Sequence, residues 1–370
     1  MGKKICTLCF MCPTRCPIKV TIEKDRVTFL EGNPHVPGMA GSLCPRGVSG
    51  AALLNDDQRL KQPMIRTGAR GSGQWRTTDW DEALDYIADK LKSIIDRHGA
   101  RSIAMGERNQ VSTHVSQTFM RAIGSPNHFT HDACCRGSNR TAAKSLLGST
   151  VTDLSPDYSS CRHIILYGHN LLEAIKVKET KNLLAAIDRG VKVTYIDPRV
   201  TVTATKAHRY MMIRPGTDLA LNYALIQTIL KEELYDADYV ARWVKGFSEL
   251  KAFIQPYTPE WAADETGIAA GDIRDLAREI SRDQPAIVFH FGHRAAHYEN
   301  ETYMRRSIGI LNALMGSIET PGGYLFKKGP GEVGAKPARK LVDQDLPVVD
   351  QIRFDKTGTS EFPLPDSSHG

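Results

Sequence analysis

Four cysteines crowd into eleven residues at the start of the chain: Cys6, Cys9, Cys12 and Cys16, the last followed by Pro17. A fifth, Cys44, precedes Pro45 after a gap of 27 residues. Thiolates three apart on a tight loop converge on one metal centre, and a remote cysteine closes the shell. A structural zinc ribbon needs two paired Cys-x2-Cys knuckles, whereas the distal partner here is a single cysteine. Eight cysteines in a chain of 370 residues fit metal ligation or catalysis better than disulfides. The spacing therefore points to an iron–sulfur site, best a cubane [4Fe–4S] cluster. Two ligand sets fit it. Cys6, Cys9 and Cys12 with a remote Cys-Pro follow the bacterial ferredoxin run, in which Cys16 would serve a second cluster. No second run exists to supply that cluster. The other set is Cys9, Cys12, Cys16 and Cys44, and spacing alone does not separate the two.

These ligands need a frame. Lys19 to Glu23 and Val27 to Leu30 alternate around the turn Lys24-Asp25-Arg26, which predicts a β-hairpin in a small β-rich domain over 1–56. Residues 57–77 are polar and glycine-rich and read as a connector. Asp79-Trp80-Asp81-Glu82 reads as a capping box opening a helix. Ala83, Leu84, Ile87, Leu91 and Ile94 follow at helical spacing as far as Gly99.

From about 100 to 325 strands and helices alternate. Predicted strands are 102–105, 163–168, 191–197 and 286–292. Predicted helices are 112–123, 178–188 and an amphipathic one over 218–230. Strands apolar on both faces, alternating with helices, imply a parallel sheet covered on both sides. The fold class is therefore α/β: a small β-rich cluster domain, then Rossmann-like parallel-sheet domains. The expected boundaries are 1–56, 57–150 (with a metal-ligand loop), 151–325 (dinucleotide-binding) and 326–370. The last stretch, rich in Gly, Pro, Lys and Asp, reads as a linker or disordered tail.

Composition excludes several classes. The chain is 41% hydrophobic and 24% charged, with a formal charge of +6 that forms no dense basic stripe, so no nucleic-acid partner is expected. The longest apolar runs, such as Ala286 to Phe289, are strand-sized, so no direct membrane span is expected. Met1-Gly2-Lys3-Lys4-Ile5-Cys6 contains neither an apolar leader core nor a twin-arginine signal. Taken literally the chain is expected in the cytoplasm, or in the periplasm if such a signal has been lost.

An ordered series of short motifs then becomes recognisable. Cys9-x2-Cys12-x3-Cys16-Pro17-Ile18 is followed by Leu43-Cys44-Pro45-Arg46-Gly47 and Trp80-Asp81-Glu82-Ala83. Gly124-Ser125-Pro126-Asn127, Gly168-His169-Asn170, Ile196-Asp197-Pro198-Arg199 and Arg214-Pro215-Gly216-Thr217-Asp218 come next. Gly292-His293-Arg294, leading to Gly322-Gly323, closes it. Over roughly residues 5–325 this resembles the molybdopterin oxidoreductases of the dimethyl-sulfoxide-reductase superfamily. The Cys-Pro-Ile wording looks most like the polysulfide, thiosulfate and arsenate reductase branch.

The resemblance implies an enzyme with a [4Fe–4S] cluster, molybdopterin guanine dinucleotide and molybdenum (or tungsten). It implies Cys9, Cys12, Cys16 and Cys44 as cluster ligands, with Cys6 left over. Arg46 stands where formate dehydrogenases place a lysine between cluster and pterin, although a plain surface arginine is the bland alternative. In the segment from His131 to Ser138 the branch pattern His-Asp-x-x-Cys favours Cys135 over Cys134 as the ligand of the catalytic metal. A soft thiolate suits a metal that cycles its oxidation state; two inert buried cysteines are the alternative.

The implied dinucleotide cradle comprises Gly168, Asn170, Asp197, Arg199, Gly216, Asp218, Gly292 and Arg294. Bare backbone N–H groups at Gly168 suit a pyrophosphate, and the two carboxylates suit ribose or guanine. Asp218 alone would be an ordinary helix start. His293 and His297 are weaker candidates, and Cys161 reads as core. The implied partners are a ferredoxin-like iron–sulfur subunit, a membrane anchor subunit and a small sulfur or oxyanion substrate. Family members continue into a C-terminal β-barrel-like domain absent from this chain, so a truncated or split catalytic subunit is expected. The rival readings are a formate dehydrogenase or nitrate reductase of the same superfamily, and a non-catalytic iron–sulfur electron-transfer subunit.

Overall fold

The computed structural model describes residues 2–326 except 13, 40, 109–112, 150–153, 175 and 293–298, together with 346, 349, 351–354, 356 and 359–361. The chain divides into two compact units, Met1–Asp132 with Pro330–Gly370, and Ala133–Gly329.

The first unit opens with an antiparallel sheet of β1 (Lys3–Leu8), β2 (Pro17–Glu23) and β3 (Arg26–Gly32), in that order. The expected hairpin is β2–β3. Its turn places Lys24 and Asp25 at φ 48° and 60°, the left-handed pair that a two-residue hairpin with native twist requires. Strand β1 was not foreseen. All six of its residues are exposed, so it carries no apolar alternation to read.

Two short helices follow Cys44, α1 (Pro45–Val48) and α2 (Gly50–Asn55). The supposed connector over 57–77 contains a hairpin, β4 (Met64–Arg66) with β5 (Trp75–Thr77). Helix α3 (Trp80–His98) begins where Asp79 accepts the Glu82 N–H at 2.8 Å. The Glu82 carboxylate does not return to the cap; it binds Arg76 and Thr78 on the incoming strand. Of the expected apolar face only Ala83 is buried, while Leu84 and Ile87 are exposed. Strand β6 (Met105–Glu107) starts at the end of the predicted 102–105 strand, because 100–102 form a 3-10 turn. Helix α4 (Thr113–Ala122) links it to the parallel strand β7 (His128–Thr130).

The second unit begins within helix α5 (Asp132–Leu147). Strand β8 (Leu154–Pro156) pairs antiparallel with the last strand of the unit, described below. The main sheet is parallel. It contains β9 (His163–Tyr167), which leads through α6 (Val177–Asp188) to β10 (Lys192–Ile196) and then to β11 (Arg209–Met211). All five residues of β9 are buried, as the two-sided apolar run requires.

Helix α7 (Asp218–Lys231) differs from the amphipathic expectation. Ten of its residues are buried, because the helices over 259–266, 270–281 and 301–314 pack around it. Two of its buried polar side chains donate inside: Asn222 Nδ2 to Ser307 Oγ at 2.9 Å and Thr228 Oγ1 to the Ala224 carbonyl at 2.9 Å. Helices α8 (Ala237–Trp243), α9 (Phe247–Phe253), α10 (Pro259–Thr266) and α11 (Ala270–Ser281) complete this layer. Strand β12 (Ile287–Phe289) adds to β9, so the sheet order is β11-β10-β9-β12. Helix α12 (Glu301–Leu314) and strand β13 (Tyr324–Phe326), the partner of β8, close the unit. The Gly322-Gly323 motif here is steric: a Cβ on Gly323 would lie 1.9 Å from the Ser317 carbonyl oxygen.

Candidate functional site

The cysteine centre is built on the β1–β2 ladder. Register runs to Leu8 opposite Pro17, and the Cys9 N–H extends it by donating to the Cys16 carbonyl at 2.8 Å. Residues 9–16 are thus a loop closed at its base. Cys44 arrives separately as the cap of α1, with Pro45 at the first helical position and its carbonyl accepting from Gly47 and Val48 N–H at 2.9 and 3.1 Å. Cys9 and Cys16 are buried, at 8% and 3% exposure, and Cys12 and Cys44 partly so.

Burial pushes the Cys16 thiol up, and the neighbouring thiols of Cys12, Cys44 and Cys9 push it further. Four sulfurs therefore crowd one another electrostatically, which a bound cationic iron–sulfur core would relieve. The donor set fits a [4Fe–4S] cluster. Cys6 lies on exposed β1 opposite Lys19 and is not among the thiols acting on Cys16. Arg46 is exposed in α1, two residues beyond Cys44.

Cys134 and Cys135 stand in the first turn of helix α5, not in a loop. Cys135 is half-buried. Cys161 is buried core, its thiol pushed up to about 11 by burial.

The cradle residues gather at the carboxyl edge of the parallel sheet. Gly168 follows β9 at φ 52°, with its N–H on the Ile196 carbonyl at 2.8 Å. Asn170 is already engaged: it donates to Glu173, and its Oδ1 accepts from Thr203 Oγ1 at 2.7 Å. Asp197 follows β10, where its carboxylate accepts from Tyr195 Oη at 2.6 Å and from Arg199 N–H at 2.8 Å. Its two oxygens keep lone pairs for a further donor. Arg199 and Gly216 are exposed, Gly216 at φ 86°. Asp218 is the first residue of α7. Gly292 is buried at φ 68° beyond β12, and Arg294, with His293 and His297, lies outside the described residues. Glycines in left-handed conformation at strand ends leave space for a pyrophosphate, so the edge suits a dinucleotide.

Sequence reasoning missed one cluster at this edge. His169, Glu179 and His290 bring their ligand-capable atoms within 4.8 Å of one another. His169 belongs to the Gly168-His169-Asn170 motif, but nothing in spacing joins it to Glu179 in the first turn of α6 or to His290 after β12.

Burial would raise the Glu179 carboxyl, but the hydrogen bond from His290 and the Lys176 ammonium hold it far below its ordinary 4.5. At the amino edge of the sheet Asp283 is held below 3.8 by hydrogen bonding to His163, and by Lys192, against burial. A carboxylate depressed in the folded state stabilises it at pH above the unfolded value and loses that contribution as pH falls through the folded one. The melting temperature is expected to drop progressively below pH 4.5. Thermal unfolding followed by circular dichroism checks this, with a shallower acid limb in Glu179→Gln.

Residues 59–361 match the family described as Molybdopterin oxidoreductase, and residues 3–56 match the Molybdopterin oxidoreductase Fe4S4 domain. The thiosulfate reductase molybdopterin-containing subunit PhsA of Salmonella typhimurium is 38% identical over 357 residues, 94% of this chain and 47% of that protein. The arsenate respiratory reductase molybdopterin-containing subunit ArrA of Shewanella sp. strain ANA-3 is 24% identical across 98% of this chain and 46% of its own length. Among solved structures, acetylene hydratase from Pelobacter acetylenicus superposes with a TM-score of 0.75 at 28% identity, covering 88% of this chain and 45% of that one. The chain spans about half the length of the curated relatives it matches.

Proposed function

The chain belongs to the molybdopterin oxidoreductases and carries their Fe4S4 domain, and we propose that it is the electron-receiving half of a catalytic subunit that reduces a small sulfur compound or oxyanion. Thiosulfate, polysulfide and arsenate are the substrates in view. The observation that carries this reading is the crowding of Cys9, Cys12 and Cys44 on the buried Cys16, in a chain 38% identical to a thiosulfate reductase subunit.

In this reading those four thiolates hold a [4Fe–4S] cluster that takes electrons from a ferredoxin-like partner subunit, itself served by a membrane anchor subunit. Arg46 supplies positive charge beside the cluster as it is reduced. Cys135 ligates the molybdenum or tungsten. Gly168, Asp197, Arg199, Gly216, Asp218, Gly292 and Arg294 seat the guanine dinucleotide of the pterin, and Asn170 acts by tying the Gly168 turn to Thr203. When bound, the metal and pterin supply the two-electron change and the atom transfer, and the protein supplies orientation and charge. The chain's share is to hold sulfur donors at fixed separation and to offer open glycine turns and the Asp197 carboxylate to the dinucleotide; the Gly168 and Gly292 N–H groups, expected to be bare, are instead engaged by the Ile196 carbonyl and His290 Nδ1.

The test is metal analysis and turnover on the anaerobically purified chain, alone and with a polypeptide spanning the remainder of a relative's length supplied in trans. About four irons per chain with about one molybdenum or tungsten are expected, together with reduced-viologen oxidation on adding thiosulfate, polysulfide or arsenate. Iron at that level with neither heavier metal sinks the enzyme reading and leaves an electron-transfer subunit. Turnover with formate or nitrate alone moves the substrate to the rival branches.

A further inference from the structure

In the parallel sheet the chain steps from β9 to β10 to β11 on one side, then returns to β12 on the other side of β9. Strand order reverses between β9 and β12, and open parallel sheets take their ligands beyond the carboxyl ends of such a pair. The three side chains that sequence reasoning missed meet at that reversal. His169 follows β9, His290 follows β12, and their rings stack at 4.8 Å between centroids and 16° between planes. His290 Nε2 lies 2.8 Å from Glu179 Oε1 on α6, and Lys176 Nζ lies 2.8 Å from Glu179 Oε2.

The proton on His290 can be placed. Its Nδ1 accepts the Gly292 backbone N–H at 2.9 Å, and a backbone N–H only donates. Nδ1 therefore carries no proton, so Nε2 carries it and donates to the Glu179 carboxylate. This also decides between two uses of the cluster. A metal ion on Nε2 would require both ring nitrogens to be bare while the Gly292 bond persists. The pair His290–Glu179, with His169 stacked on the imidazole, thus forms a hydrogen-bonded clamp and not a cation site.

The clamp reaches backbone on both strands. The Phe291 N–H donates to Tyr324 Oη at 3.2 Å, and the Phe291 carbonyl accepts from the buried Arg305. The His290 N–H donates to the Ile165 carbonyl at 2.9 Å. Residues 290–292 are thus tied at every position, with Glu179 the outermost anchor. Building on the reading of this edge as the dinucleotide cradle, we propose that Glu179 is a positioning residue for the pterin cofactor. It selects the His290 tautomer, and through it fixes Gly292 and the stacked His169 of the Gly168 turn.

Glu179→Gln keeps an acceptor for His290, whereas Glu179→Ala removes it. All measurements use the full chain in its cluster-loaded, oxidised form. Nitrogen-15 spectra of labelled histidines are expected to show His290 protonated on Nε2 in the parent and in Glu179→Gln, and a tautomer mixture in Glu179→Ala. Pterin retained after gel filtration, read by fluorescence of its oxidised form, is expected to be lost about tenfold faster in Glu179→Ala, the usual scale of one buried hydrogen bond. Glu179→Gln should stay near the parent, with iron per chain equal in all three. Equal pterin retention in Glu179→Ala overturns the proposal, as does equal damage in both variants. A parent chain that binds no pterin defeats the reading of the edge itself, whereas a His290 proton on Nδ1 in pterin-loaded protein defeats the clamp alone.

Discussion

Replacing Cys16 by serine is expected to strip the chain of iron, from about four per chain to near zero, while Cys6→Ser leaves the iron content unchanged. Cys16 is the most buried of the five N-terminal cysteines and lies among three other thiols. A serine hydroxyl there is a poor ligand for a soft iron–sulfur core and leaves a polar group in a closed site. The effect reaches the fold, because the domain over residues 1–56 buries few apolar side chains, chiefly Ile18, Val20, Leu30 and Met39. Where a core is that small, ligand binding is a large share of folding energy. Iron assay with the visible absorption of the cluster reads the first effect, and limited proteolysis the second. Loss of iron in Cys6→Ser with retention in Cys16→Ser would transfer the site to the ferredoxin-type ligand set.

The second large effect is expected at Cys135. Cys135→Ala should lower viologen-coupled turnover by at least about a hundredfold, beyond the usual 10- to 100-fold cost of losing even an outer-shell partner of a metal. Iron per chain should not change, since the cluster ligands lie elsewhere in the sequence. Cys134→Ala is the matched control and should keep turnover within about threefold of the parent, because the assignment gives the metal one thiolate of the pair, that of Cys135. Full turnover in Cys135→Ala, with loss in Cys134→Ala, would reverse the assignment.

How legible all this was depended on what kind of signal each residue left. Strand β9 announced itself because a run buried on both faces is apolar along Ile164, Ile165 and Leu166, with only His163 at its start polar. The β2–β3 hairpin was legible in its alternation. Strand β1 was not, because a fully exposed edge strand has no pattern to show. The hairpin hidden in 57–77 is three residues a side, too short for periodicity to register. Helix α3 reversed the usual inference: its apolar spacing was real, yet Leu84 and Ile87 remain at the surface.

At the site, the convergence of Cys9, Cys12 and Cys16 followed from spacing, but the choice between Cys6 and Cys16 rested on resemblance until burial and neighbouring thiols bore on it. The Cys134–Cys135 segment was taken for a loop, since glycine, serine and asparagine within it disguise the start of α5. Asn170 was read as facing the cofactor, whereas its side chain is consumed by Glu173 and Thr203. Glu179 left no trace, because what matters about it is a partner 111 residues away.

The bond from Cys9 N–H to the Cys16 carbonyl has a consequence for how the N-terminal domain tolerates change in length. Three sulfur donors ride on eight residues pinned at both ends by the β1–β2 ladder. One inserted residue there would slip the register and turn alternate side chains to the opposite face. The stretch between β3 and Cys44 is under no such rule, since closure entropy rises only with the logarithm of the span. A tight point lies at its start, where a Cβ on Gly32 would come within 2.2 Å of the Gly41 carbonyl oxygen. The domain is therefore a fixed cassette of three donors with a fourth on an adjustable tether, and extra residues belong between Pro34 and Gly38.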